Sequence, residues 1–140
     1  MSDSLPTRLQ LLQACRGYVT NHPLLRAARE LTMLHERRLG AAPGITTDID
    51  EDRARLVREI GRWAEIHLPP AHDAVYLHTE TLGAVLDRLA QFTACAYAAL
   101  AADDQWDLWH AWDRLAELAV AYEDLATELT AGRRRLPGTP

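Results

Sequence analysis

The chain has 140 residues, 48% of them hydrophobic, and a formal net charge of −5, which suits a single folded domain. Its 15 basic residues are all arginine and are outnumbered by 20 acidic residues, so a basic face for nucleic-acid binding is not expected. No apolar run approaches the roughly 20 residues that span a bilayer, and the first residues lack a secretory pattern. We therefore expect a cytoplasmic protein with no nucleic-acid or membrane partner.

Five helices are predicted in chain order. The stretches between the proline and glycine positions consist mainly of Ala, Leu, Arg and Glu, which are strong helix formers. The predicted helices cover residues 7–18, 23–39, 48–68, 80–102 and 105–131. No segment shows the strict alternation of apolar and polar residues that is typical of a half-buried strand.

Apolar residues recur at spacings of three and four along the four longer helices, as in the last one at Ala111, Leu115, Leu118 and Tyr122. Long amphipathic helices with short links bury such stripes against one another. The sequence therefore predicts an all-α fold, an antiparallel four-helix bundle with a short extra N-terminal helix. We expect one domain over 1–140, with the short helix in 5–18, the four-helix core over 23–131 and a flexible tail over 133–140.

The helix predicted over 80–102 is apolar or small on two faces. Opposite its leucine-rich stripe it carries mainly small residues, namely Gly83, Ala84, Ala94 and Ala98. Because a solvent-facing side normally carries more charge, we expect protein to cover both faces. The helix is then either the central element of the bundle or part of a subunit interface.

Two acidic residues, Glu80 and Asp87, lie on the same small-residue face. If that face is covered, both need cationic partners, because an unpaired buried carboxylate is costly. The candidate partners are arginines of the second and third helices, Arg26, Arg29, Arg55, Arg58 and Arg62. One interpretation is a structural arginine–carboxylate network, and another is simple solvent exposure. The third is a polar pocket that binds or transforms a ligand, formed by Glu80, Thr81, Asp87 and Arg88.

The segment from His78 to Leu89, together with residues 124–135, resembles a bacterial family of small helical proteins known as domain of unknown function 4254. Members share a Glu-Thr/Ser-x-Gly/small stretch, an Asp-Arg-Leu in the same helix, and a Gly-Arg pair at the end of the last helix. The matching positions are Glu80, Thr81, Gly83, Asp87, Arg88, Leu89, Gly132 and Arg133. Members often carry paired acids in an early helix, where residues 34–37 here offer one acid. The resemblance implies a small helical protein and no particular activity.

Neither the six histidines nor the two cysteines indicate catalytic or metal chemistry. Asp107-x-x-His110 is the nearest approach to the Glu-x-x-His pattern of di-iron bundles, and it occurs once. Cys15 and Cys95 lie among apolar residues and are expected to be inert packing residues. We therefore predict no metal and no cofactor. Helical nucleotide hydrolases hold Mg²⁺ with clustered acids, but the acids of the last helix here are typical of a solvated face. A hydrolase of this kind therefore stays only as the enzyme alternative.

Trp106 and Trp109 project away from the apolar stripe of the last helix. Either another part of the chain covers them, such as the N-terminal helix or the loop at Pro69-Pro70, or they contact a partner. The arginines at 133–135 either are ordinary tail charges or meet a phosphate or an acidic partner. These features favour a non-catalytic interaction or scaffold module that forms a homo-oligomer or binds a protein. The alternative is a small-molecule or phosphate-handling enzyme built on Glu80, Asp87, Arg88 and a histidine.

Overall fold

The computed structural model describes residues 4–18, 21–72 and 75–138, which form an all-helical fold with one small strand pair. The helices are α1 (Arg8–Cys15), α2 (Pro23–Leu39), α3 (Thr47–His67), α4 (Leu82–Ala99) and α5 (Gln105–Thr130), and the strands are β1 (Tyr76–Leu77) and β2 (Arg134–Arg135). The predicted all-α class is confirmed. None of the helices in these ranges has the length and apolarity needed to cross a bilayer.

The start of α4 differs from the prediction by two residues. The Thr81 hydroxyl accepts a hydrogen bond from the Ala84 amide at 3.1 Å, so Thr81 is the N-cap. Because the cap satisfies one of the free N–H groups of the first turn, the helix begins at Leu82 and not at Glu80. Glu80 therefore lies in the turn before the helix.

The central element of the fold is α4, which contacts α1, α2, α3 and α5. Its leucine-rich face is buried, and α3 crosses the other side of its first half. Gly83 faces the backbone of Val57, and one turn later Asp87 bonds Arg53, which lies one turn before Val57. The two helices therefore meet along matched turns, with a glycine contact next to an ionic one.

The small-residue face of α4 is covered only in part. Gly83 and Ala94 are buried and Ala84 is half-buried, whereas Gln91 and Ala98 are exposed. The prediction that Gly83 and Ala94 belong to a subunit interface is therefore corrected, because helices of the same chain already cover them. Small side chains allow close approach between two helices of one chain as readily as between helices of two chains. Ala98 is the predicted interface alanine that stays exposed.

The chain after α5 lies against the loop that precedes α4. Strand β2 pairs in parallel with β1, with Arg134 opposite Tyr76 and Arg135 opposite Leu77. The His78 amide donates to the Arg135 carbonyl at 2.7 Å. Part of the tail predicted to be flexible over 133–140 is thus paired. A contact of two residues on each side is too short to leave a periodic pattern in the sequence.

A buried hydrogen bond ties the N-terminal segment to α5, since the Tyr122 hydroxyl donates to the Pro6 carbonyl at 2.7 Å. Burial raises the pKa of Tyr122, so the hydroxyl keeps its proton at all ordinary pH values. We expect Tyr122→Phe to lower the free energy of unfolding by about 1 kcal/mol, because the carbonyl loses its donor. Urea denaturation measures this. The same change at exposed Tyr18 is the control and should have no effect; equal effects at both positions would contradict the role of this bond.

Candidate functional site

Asp87 is the centre of a polar cluster that joins three helices. Its Oδ1 accepts hydrogen bonds from His35 Nε2 at 2.8 Å and from Arg53 Nε at 3.2 Å, and its Oδ2 accepts from Arg53 Nη2 at 2.7 Å. Since an ionised carboxylate only accepts, His35 Nε2 carries a proton. The two-point contact with Arg53 fixes the carboxylate plane between α2 and α3.

The cluster continues from the interior to the surface through Asp50. This residue accepts from Arg53 Nη1 at 2.9 Å and from Arg38 Nε at 3.0 Å. We use "polar cluster" for these five residues, His35, Arg38, Asp50, Arg53 and Asp87. The exposed fraction of the side chain falls from 41% at Asp50 to 17% at Asp87 and 5% at His35. Opposite charges therefore alternate along a path that ends at a buried imidazole.

Both carboxyl groups of the cluster are held in their ionised form. Burial by itself would raise the pKa of Asp87, but hydrogen bonds from His35 and Arg53 and the charge of Arg53 outweigh it, so the pKa lies below its usual range. The hydrogen bond from Arg38 likewise lowers the pKa of Asp50. At neutral pH the two aspartates thus face two guanidinium groups.

A cavity of about 60 Å³ borders the cluster. It is lined by His35, Arg38, Leu39, Gln91, Ala94 and Cys95. It is less than half the roughly 150 Å³ of an engineered cavity that binds benzene, so its volume suits a few water molecules. The geometry here is suited to holding α2, α3 and α4 in register.

Glu80 and Arg88 form a separate pair. Arg88 Nη2 donates to the two carboxylate oxygens of Glu80 at 2.8 and 2.7 Å. The Glu80 side chain is 34% exposed and the Arg88 side chain is 41% exposed. Consecutive helical residues point about 100° apart, so Asp87 and Arg88 face different neighbours. The prediction of a single pocket formed by Glu80, Thr81, Asp87 and Arg88 is corrected on this ground. Thr81 acts as the cap of α4.

Neither partner of Asp87 was predicted from the sequence. Of the candidate arginines, Arg55 pairs with Glu59 on its own helix, and the partner of Asp87 is Arg53. A signal for His35 was present, because it follows Ala28 and Leu31 at spacings of seven and four on the apolar stripe of α2. A histidine at such a position needs a polar partner from another helix.

The two off-stripe tryptophans of α5 lie at the surface, with exposed fractions of 68% for Trp106 and 62% for Trp109. Both indoles contact the ring of His110 edge-on, at centroid distances of 4.1 and 5.3 Å. Neither α1 nor the loop at Pro69-Pro70 covers them, so the part of the chain that the structure describes leaves this aromatic cluster open to solvent.

In residues 4–18, 21–72 and 75–138, no three His, Cys, Asp or Glu side chains form a group that could hold a metal ion. Of the acids of α5 that motivated the hydrolase alternative, Asp113, Glu117 and Asp124 are exposed, and Glu128 pairs with Arg134. Comparison of the chain with protein-family models, with curated proteins and with solved structures gave no match.

Proposed function

We propose that this protein is an interaction module whose copies associate through the outer side of α5. The single observation that carries the proposal is the exposed pair of indoles, Trp106 and Trp109. Large aromatic side chains contribute most of the binding energy at many interfaces, because they bury much area for little conformational entropy. The contacts with His110 hold both rings in place before any partner arrives.

The same side of α5 offers a groove next to the projecting indoles. It is an open depression of about 540 Å³, lined by Gln105, Leu108, Trp109, Trp112 and Asp113. A twofold-symmetric contact uses one patch twice, so that patch must contain both a projecting group and a depression to receive it. The tryptophan side of α5 meets this condition. We therefore propose Trp106 of a second copy as the occupant of the groove.

Two further residues extend the apolar surface along the helix. Ala116 and Val120 are exposed and lie on the same side of α5 as Trp106 and Trp109. Two copies of a chain commonly associate by packing apolar stripes of their surface helices against each other. This continuity favours a helix-to-helix contact over the capture of a short peptide.

The oligomer hypothesis predicts a dimer by size-exclusion chromatography with light scattering at tens of micromolar protein. We expect a mass of twice the 15.7 kDa of one chain. The double variant Trp106→Ser with Trp109→Ser should elute at the mass of a single chain, because the central apolar contact is lost. A matched control is Ile66→Ser, which removes an equally exposed apolar side chain from α3 and should leave the dimer intact.

A wild-type protein that stays monomeric under these conditions would contradict self-association. If the double variant and Ile66→Ser weakened the dimer equally, the contact would not lie on the tryptophan side of α5. All three side chains lie at the surface, so we expect both variants to keep the fold. Circular dichroism of the two variants checks this.

Our proposal for the arrangement of the helices is an antiparallel four-helix bundle of α2 to α5 with α1 as the extra helix. The contacts of α4 with α2, α3 and α5 support it. We also propose membership of the family that the 78–89 segment resembles. In its support, Glu80 and Arg88 pair with each other, and buried Gly132 has φ +71°, a conformation that side chains disfavour.

A further inference from the structure

A second cavity, of about 220 Å³, lies between the end of α3, the loop at Pro69-Pro70, the first turn of α4 and strand β2. None of the residues of the polar cluster lines it, and it is on a different part of the molecule from the indoles of α5. Its volume exceeds the roughly 150 Å³ that accommodates benzene. It is therefore large enough for a small organic molecule.

The walls of this cavity divide into an apolar part and a cationic part. The apolar part comes from α3, α4, α5 and the tail, and it includes Leu68, Leu82, Leu129 and Leu136. The cationic part is Arg134 and Arg135 of β2. Pairing with β1 positions the backbone of both arginines, through the Tyr76–Arg134 and Leu77–Arg135 register and the bond from the His78 amide.

The two arginines differ in how far their donors are used. Arg134 Nη2 donates to Glu128 at 3.0 Å, whereas its Nε–H is buried without a hydrogen-bond partner among the described residues. Because this N–H is closed off from solvent, it is not open to a ligand in the cavity, and Arg134 contributes its positive charge to the wall. The structure describes no ion pair for the exposed Arg135 guanidinium. Glu65 also lines the cavity, so the wall of the cavity is negative at α3 and positive at β2.

We propose that this cavity binds a small organic carboxylate with a compact apolar body, of about the size of benzoate. The carboxylate accepts charge-assisted hydrogen bonds from the exposed Arg135 guanidinium, next to the positive charge of Arg134. The apolar body packs against Leu82 of α4, Leu129 of α5 and Leu68, which directly follows α3. Binding would join the tail to the ends of three helices.

Benzoate is the probe, followed by the amide signals of ¹⁵N-labelled protein in NMR spectra. We expect saturable shifts at Thr81, Leu82 and Leu129, with half-saturation at about 1 mM benzoate. Benzamide has the same shape without the charge and should bind about tenfold more weakly. Inorganic phosphate has the charge without the ring and should not saturate the same signals in that range.

Arg135→Gln is expected to weaken benzoate binding about tenfold, because one charged donor is lost. Arg133→Gln makes the same change two residues earlier, at an exposed side chain that does not line the cavity, and should bind benzoate like the wild type. The absence of saturable shifts at the lining residues would overturn the proposal. So would equal binding of benzamide, equal binding of phosphate, or equal effects of the two arginine variants. None of these results depends on whether the protein forms a dimer.

Discussion

Asp87→Ala is expected to lower the free energy of unfolding by about 3 kcal/mol, since it removes the acceptor that buried His35 and half-buried Arg53 share. His35, with a side chain only 5% exposed, would keep a buried Nε2–H without an acceptor. Arg53 would keep its bond to Asp50 at 2.9 Å, which places the loss near the lower end of the range for a broken buried pair. Chemical denaturation followed by circular dichroism gives the value.

Two controls separate this effect from the general loss of a carboxylate. Asp52→Ala makes the same change at an exposed position of α3, and it should alter the free energy of unfolding by less than about 0.5 kcal/mol. Glu80→Ala breaks the partly exposed pair with Arg88 and should remove at most about 1 kcal/mol. A loss at Asp87 no larger than that at Glu80 would show that the polar cluster does not hold the helices together.

The loss at Asp87 also has a definite pH dependence. The pKa of Asp87 is lower in the folded protein than in the unfolded chain, where it is about 3.9. The stabilisation is therefore fully present above the unfolded pKa and disappears as the pH falls through the folded pKa. Measured at several values below about pH 5, the difference between wild type and Asp87→Ala should shrink as the solution becomes more acidic.

Gly83→Ala is expected to lower the free energy of unfolding by about 2 kcal/mol, even though alanine is the better helix former by roughly 1 kcal/mol. A Cβ at this position would overlap the carbonyl oxygen of Val57 and lie 2.9 Å from its carbonyl carbon. These are backbone atoms of α3, so relief requires that the whole helix moves away. The measurement is again chemical denaturation of the purified variant.

Gly40→Ala is the matched control, because a Cβ there meets nothing closer than the Arg37 carbonyl at 3.9 Å. It should leave stability unchanged within about 0.5 kcal/mol. Moving α3 away from Gly83 also lengthens the Arg53–Asp87 contact one turn along. The loss from Gly83→Ala should therefore be smaller in the Asp87→Ala background than in the wild type. Strict additivity of the two changes would contradict the coupling of the glycine and ionic contacts.

Much of the fold was predictable because helices of this length leave a periodic pattern. The starts of α2 at Pro23 and of α5 at Gln105 follow from local helix-start signals. These are a proline in the first turn of α2 and an aspartate N-cap before α5. The start of α4 was predicted two residues too early, at Glu80, whereas the hydroxyl of Thr81 caps a helix that begins at Leu82.

The candidate site was predictable only in part, at Asp87 and at the two tryptophans. A carboxylate on a small-residue face indicates a cationic partner without indicating which one, since many arginines are within reach in the sequence. The partner is selected by the crossing of α3 over Gly83, which places Arg53 beside Asp87. The cavity at β2 had no sequence signal, because it arises where four separate segments meet.

By itself the sequence determined the helical class, the approximate helix bounds and the projection of Trp106 and Trp109 away from the apolar stripe of α5, because these depend on residue type and spacing within one helix; that no other part of the described chain covers the two indoles was decided by the tertiary structure. Only the tertiary structure decided that the small-residue face of α4 is partly covered by the same chain, that His35 and Arg53 share Asp87, and that Arg134 and Arg135 border a cavity. The physical reason is that such contacts join residues far apart in the chain, and their geometry is set by how whole helices pack.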